Sequence, residues 1–181
     1  EEFPDRKIMV VDSLCASMGQ GLLVDSAIRM KEAGKSIEEV AQWLEENIPH
    51  LCHLFTVEDL KYLQRGGRIS KTTALVGTMI GIKPVLHVDD AGHLIPMEKV
   101  RGRKASLDAL VAHMEKDAVD PASQTVFISH GDCRADAEYV ADLVREKFGT
   151  QDIRIHSIGP VIGSHSGPGT VALFYLGRTR G

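Results

Sequence analysis

Ile153-Arg154-Ile155-His156-Ser157-Ile158, then Gly159-Pro160-Val161-Ile162-Gly163-Ser164-His165-Ser166-Gly167-Pro168-Gly169-Thr170, then Val171-Ala172-Leu173-Phe174-Tyr175-Leu176: the rest of the chain is organised around this stretch. The first run alternates as a half-buried strand does, and the last is a short apolar run that reads as a second strand. The glycine-rich middle therefore reads as a loop joining two strands. Its glycines allow positive φ and close approach of backbone to a ligand, and consecutive free N–H groups in such a turn make an anion-binding concavity. His165 is expected to point into it, as a hydrogen-bond donor when neutral and as a charge when protonated. From residue chemistry alone, a tight turn with a solvated or core-satisfied histidine reads equally well.

Upstream, Lys7-Ile8-Met9-Val10-Val11-Asp12 is a buried-strand candidate. Ser17 with Gln20 gives a capping-box pattern for a helix whose apolar face is Gly19, Leu22, Leu23, Ala27 and Met30, and Gly34 ends it. Ser36 with Glu39 repeats the signal for a second helix, striped by Ile37, Val40, Ala41, Leu44 and Ile48. One strand and two helices cannot close a core, so residues 1–50 read as the end of a first, Rossmann-like α/β domain. The chain opens at Glu1-Glu2-Phe3 without an initiator methionine, and more chain is expected to precede it.

Residues 51–181 read as a second α/β domain. Leu51 to Phe55 is a strand, Thr56 caps a helix through Leu63, and Gly66-Gly67 stops it. Ser70 opens a helix over Lys71 to Ile80. Ile82 to Val88 and His93 to Arg101 form a hairpin across Asp89-Asp90-Ala91-Gly92, with Pro84 favouring an edge or a strand start. A helix with Leu107, Leu110, Val111 and Met114 follows, then a strand from Thr125 to Ser129, then a helix with Ala137, Val140, Val144 and Phe148. The count is about six strands and four helices, and one hairpin among the crossovers means a two-layer domain with a mixed sheet.

The 181 residues can bury a sizeable core, and 43% hydrophobic with 25% charged content is ordinary for a globular protein. A formal net charge of −4 gives no electrostatic reason to expect nucleic acid. No apolar run approaches the roughly 20 residues that span a bilayer, so stable membrane insertion is not expected. Cys15, Cys52 and Cys133 lack metal-ligand spacing, and their odd number suits a reducing compartment, which places the protein in the cytoplasm. No metal or cofactor is expected.

Two further stretches carry chemistry. In Leu60-Lys61-Tyr62-Leu63-Gln64-Arg65-Gly66-Gly67-Arg68-Ile69-Ser70 the paired glycines turn the chain and set Arg68 just before a helix start, a place that favours anions. Lys99-Val100-Arg101-Gly102-Arg103-Lys104 concentrates four cations on an acidic chain and could steer an acidic partner, or be a solvated turn. Hydrolysis finds little support, since no strained G-x-S-x-G elbow surrounds Ser164, His165 and Ser166. His130-Gly131-Asp132-Cys133 has no second ligand cluster to make a metal site.

Val11-Asp12-Ser13 with Ala16-Ser17-Met18-Gly19-Gln20-Gly21, Leu60 to Ile69, Ile82-Lys83-Pro84-Val85-Leu86, Lys99 to Arg103 and Gly159 to Gly169 together resemble the DegV family in five ordered motifs. The resemblance implies a two-domain protein that binds a long-chain fatty acid and presents its carboxylate, or acyl phosphate, to a separate ATP-dependent fatty acid kinase for phospholipid synthesis. It would not be catalytic alone. His165 and Arg68 match the family's head-group residues, with Gly163, Ser164, Ser166 and Gly167 beside them. Lys99, Arg101 and Arg103 match the stretch assigned to kinase docking. Family members also carry an upstream Thr-Asp-Ser opening and a Ser-Gly-x-Ser-Gly-Thr stretch, which supply further carboxylate contacts and are absent here. Ala74, Leu75, Thr78, Met79 and Ile82 offer a narrow apolar face leading from Arg68, a wall for an acyl tail. The alternatives are a hydrolase using a His165-activated water and a phosphate or nucleotide sensor.

Overall fold

A computed structural model of the chain describes residues 3–70 and 81–181. Helices α1 (Ser17–Glu32) and α2 (Ile37–Asn47) precede β1 (Leu51–Thr56), a short α3 (Lys61–Arg65) and the hairpin β2 (Ile82–Val88) and β3 (Leu94–Arg101). Then come α4 (Arg103–Asp117), β4 (Val126–His130), α5 (Arg134–Phe148), β5 (Ile153–Ser157), α6 (Pro160–Ser166) and β6 (Val171–Leu176). The six strands form one mixed sheet in the order β3-β2-β1-β6-β4-β5, in which only β4 and β5, joined through α5, run parallel.

The strand pleat divides the core in two. Leu54, Val85, Ile128, Leu173 and Tyr175 point to one face and pack with Leu107, Leu110 and Met114 of α4 and Val140 and Val144 of α5. Phe55, Leu86, Phe127, Ala172 and Phe174 point to the other, with Leu22 and Leu23 of α1, Ile48, and Leu60 and Leu63. Helix α1 thus lies on the same sheet as the later elements. The central strand β6 is buried on both faces, which is why its sequence is a continuous apolar run, whereas β5 is an edge strand and alternates.

Four local expectations need correction. Residues 7–12 form no strand: no described strand pairs with them, their backbone has no ladder to complete, and Ile8 and Val10 stand 68% and 89% exposed. Ser17 is not a cap. Ala16 holds that position without a side-chain bond, and the Ser17 hydroxyl instead donates to Ser129 Oγ at 3.1 Å. Thr56 ends β1 and caps nothing; Asp59 Oδ1 accepts from the Lys61 N–H at 2.9 Å where α3 begins. The glycine stretch is not all loop, because Pro160 sits in the first turn of a helix, where its fixed φ fits and no N–H is lost.

Other expectations hold. Ser36 and Glu39 make a reciprocal capping box. Gly34 and Gly67 take positive φ where helices stop. Pro84 lies on an inner strand, not an edge, but the β1 ladder reaches only Val85, so its missing N–H breaks no bond to β1. The helix expected over residues 71–80, with Ala74, Leu75, Thr78 and Met79, lies outside the described residues.

Candidate functional site

The two short helices flanking the sheet meet through glycine. Gly66, closing α3, has no side chain where the His165 ring lies; a Cβ there would come within 2.1 Å of His165 Nδ1. Gly167, at φ +81, likewise leaves room for Tyr62, whose ring would sit 2.5 Å from an added Cβ. Only glycine allows α3 and α6 this close approach. The end of α6 is then fixed by Thr170, whose hydroxyl donates to the Gly167 carbonyl at 2.8 Å, and by the pair of backbone bonds between Gly131 and residues 169 and 170. His165 is therefore seated by backbone and packing.

Beneath this junction the apolar face of the sheet is hollow. A cavity of about 310 Å³ is floored by Phe55, Ala172 and Phe174, walled by Leu63, Val88, Leu94, Ile158, Val161 and Ile162, and reached by the start of α1 at Ala16 and Ser17. Arg68, His165, Ser166 and Thr170 line its α3–α6 end. Arg68 is exposed and donates to the Gly66 carbonyl at 3.2 Å. Ser166 Oγ and His165 Nδ1 are buried and have no hydrogen-bond partner among the described residues. Buried polar atoms are normally satisfied, so these two atoms beside Arg68 make this end of the cavity the candidate place for a polar or anionic group.

The structure brings together Arg68, His165 and Ser166. It does not bring in the other three residues expected beside them. The N–H groups of Gly163 and Gly167 are taken by the helix, donating to Gly159 and Gly163 carbonyls at 2.9 and 2.8 Å. Ser164 is exposed, and its hydroxyl donates to the Val161 carbonyl at 2.7 Å. The expected concavity of free N–H groups is thus replaced by a helical turn. Ile82 begins β2 opposite Arg101 and lies outside the cavity's described lining.

Sequence reasoning missed His53, Ser17 and Ser129, which line the cavity deeper in. His53 is 2% exposed and packs edge-on to Phe174 with ring centroids 5.5 Å apart; among the described residues neither nitrogen makes a hydrogen bond of good geometry, the Leu51 backbone being the polar group that acts on the ring. Burial pushes its pKa down to about 3, helped by the Arg180 and His87 charges and opposed by the Leu51 backbone, so the ring is neutral. A histidine inside an otherwise apolar strand reads as core, and only the cavity reveals otherwise.

The cationic stretch splits by environment. Arg103 is held by Asp136, with Nη2 2.7 Å from Oδ2, and Lys104 lies over the Tyr139 ring near Asp108. Lys99 and Arg101 are exposed on the edge strand β3. Among the described residues no group of His, Cys, Asp and Glu is arranged to hold a metal, all three cysteines are free thiols, and no helix is long and apolar enough to cross a membrane.

The sequence pattern of the family described as "Uncharacterised protein, DegV family" matches residues 1–178. The chain belongs to the DegV family. A DegV domain-containing protein of Clostridium perfringens is 52% identical over 180 residues, covering 99% of this chain and 62% of the relative. The chain thus spans about 62% of that relative's length. Among solved DegV-like structures, a DegV lipid binding protein of Thermotoga maritima shares 32% identity at a TM-score of 0.84, over 99% of this chain and 63% of that one. The Fatty Acid Kinase (Fak) B3 protein of Streptococcus pneumoniae, loaded with linoleic acid, shares 26% identity at a TM-score of 0.88, over 97% of this chain and 62% of that one. The mixed six-stranded sheet is therefore the DegV fold.

Proposed function

We propose that this chain is the acyl-binding part of a DegV protein that holds a long-chain fatty acid, or its acyl phosphate, and presents the head group to a separate ATP-dependent fatty acid kinase in the cytoplasm. The observation that carries this reading is the pairing of Arg68 with the orphaned His165 Nδ1 and Ser166 Oγ at one end of a cavity lined mainly by apolar side chains. A charged head and a long apolar body are what such a site complements. Each buried CH₂ contributes about 0.8 kcal/mol, so the tail supplies most of the affinity and the head-group residues fix its direction. The loading of the pneumococcal relative with linoleic acid supports the ligand class, and its kinase name supports the partner.

In this reading the chain binds and orients without breaking bonds itself. Arg68 neutralises the carboxylate, while the His165 ring and Ser166 hydroxyl fix its oxygens. The phosphoryl donor is supplied by the partner, which Lys99 and Arg101 would meet on the β3 edge. Arg103, already paired to Asp136, contributes less to docking than its place in the sequence implies. The division into residues 1–50 and 51–181 belongs to the same proposal. Native mass spectrometry of the full natural protein from a bacterial host tests the reading. A co-purifying long-chain fatty acid is the expected result. Protein without acyl ligand that is stabilised against heat by ATP and not by oleate would favour a nucleotide sensor.

A further inference from the structure

Helix α6 carries His165 and Ser166 yet has little of its own to hold it. At seven residues it is too short to be stable alone, its Val161 is 73% exposed, and beneath it lies the cavity in place of packed core. Its last turn is fixed instead by what surrounds Gly167. Gly131 approaches so closely that an added Cβ there would come within 2.7 Å of the Gly167 carbonyl oxygen. The Thr170 hydroxyl donates to that same carbonyl at 2.8 Å and lies 3.1 Å from the Ser166 carbonyl oxygen. The Tyr62 ring of α3 occupies the place that a side chain at residue 167 would take, with Cδ2, Cγ and Cε2 at 2.5, 2.6 and 3.0 Å from a Cβ built on Gly167.

Tyr62 is exposed and lies outside the cavity's described lining, so it is not itself a head-group ligand. It belongs to the element that delivers the arginine: α3 closes at Gly66, and the Arg68 N–H donates back to the Leu63 carbonyl at 2.8 Å. The contact of Tyr62 with Gly167, together with that of Gly66 with His165, sets the gap between the element bearing Arg68 and the helix bearing His165 and Ser166. Hydrogen bonds weaken steeply as their geometry departs from the ideal, and a site shared by two elements works only while they are held to within about 0.5 Å. We infer that Tyr62 is a positioning residue of the head-group end, whose ring packs on Gly167 and keeps His165 and Ser166 at the spacing from Arg68 that a carboxylate requires. The flat ring does this and the phenol oxygen does not. The inference rests on the acyl-binding reading above and adds a residue outside the cavity that governs its polar end.

Displacement of a fluorescent acyl probe from the full natural protein tests it with two ligands, oleate and oleyl alcohol, which share a tail and differ in the carboxylate. The parent should bind oleate about tenfold or more tightly than the alcohol. Tyr62→Ala should remove most of that preference, weakening oleate about tenfold with the alcohol nearly unchanged, and Tyr62→Phe, which keeps the ring, should behave as the parent does. A loss in Tyr62→Ala shared equally by acid and alcohol, or no loss, overturns the role of Tyr62 and leaves acyl binding standing. Tyr62→Phe as weak for oleate as Tyr62→Ala also overturns it, because the phenol oxygen would then carry the effect. Should Tyr62→Ala fail to fold, Tyr62→Leu, which keeps apolar volume without the flat ring, takes its place in the same comparison with the same outcomes. No binding of either ligand by the parent overturns both readings.

Discussion

The two faces of the sheet are built from alternate residues of the same strands, yet one is closed and the other hollow. On the α4–α5 face the strands present Leu54, Val85, Ile128, Leu173 and Tyr175, all essentially inaccessible, and the helices fill the space between them. On the α1–α3–α6 face the same strands present His53, Ser129 and Ala172 among the aromatics. Small side chains there remove volume, and the covering elements come close where Gly19, Gly66 and Gly167 leave room. The orphaned atoms of His53, His165 and Ser166 all fall on the hollow face. A protein interior is ordinarily packed to crystal density with its polar groups satisfied. The faces differ first in volume: unpartnered buried atoms occur on both, Thr56 Oγ1 and Arg103 Nη1 on the α4–α5 side, but only on the other face do they stand beside a cavity and an exposed arginine, which is why the proposed site is placed there.

The largest effect that can break this comparison is on stability. Leu173→Ala, on the closed face, should lose about 2–5 kcal/mol in denaturant unfolding, because the cavity it leaves cannot collapse. Ile162→Ala, on the hollow face, should lose much less and should instead change which acyl chains are retained. Equal losses at the two positions would mean that both faces are packed alike.

Next is the head-group end. His165→Gln should weaken fatty acid binding by about 1.5–3 kcal/mol, tenfold or more, with the melting temperature of the ligand-free protein nearly unchanged. Unchanged affinity would remove His165 from the site and leave the hollow face without its polar end.

The buried, neutral His53 makes a pH prediction. Its folded pKa is pushed down to about 3, below the value of about 6.5 it has when unfolded, so between these the unfolded chain binds a proton that the folded one does not. Stability should therefore fall as pH drops from about 6.5 toward 3, by up to about 1.4 kcal/mol per pH unit from this group. His53→Gln, measured against the parent by urea unfolding at several pH values, should flatten that slope. An identical slope in both would show that His53 is protonated, or solvated, in the folded state.

The smallest effect serves as a control for both faces. Ser36→Ala removes one half of the α2 capping box, far from the cavity, and should lose about 1 kcal/mol of stability without altering lipid affinity. A change in affinity would show that the hollow face is coupled to helix stability at large.

What was legible in the sequence follows from which interactions are local. The β6 run, the Ser36–Glu39 box and the hairpin are set by neighbours in the chain, and the structure keeps them. The strand expected at residues 7–12 failed because a strand exists only with a partner, which local propensity cannot supply. Helix α6 was hidden by its glycines, although Pro160 was the signal that could have revealed it. Arg68 and His165 stood out by residue chemistry before the family resemblance, which added Ser166, and the structure brings the three to one end of the cavity. Gly163, Ser164 and Gly167 shared that resemblance, but their backbone or side-chain donors are taken within α6. His53, Ser17 and Ser129 were illegible because they meet only through strand pairing and helix packing, with 112 residues separating the two serines.

A crystal structure of the full natural protein with a bound long-chain fatty acid tests the central claim most directly. The carboxylate is predicted to lie at the α3–α6 end, with oxygens about 2.7–3.0 Å from the Ser166 hydroxyl and the Arg68 guanidinium and in contact with the His165 ring, and with the tail running over Ala172 toward Phe174. A carboxylate found beside His53 and Ser129 with the tail pointing toward Arg68, or lipid bound outside this cavity, would contradict it.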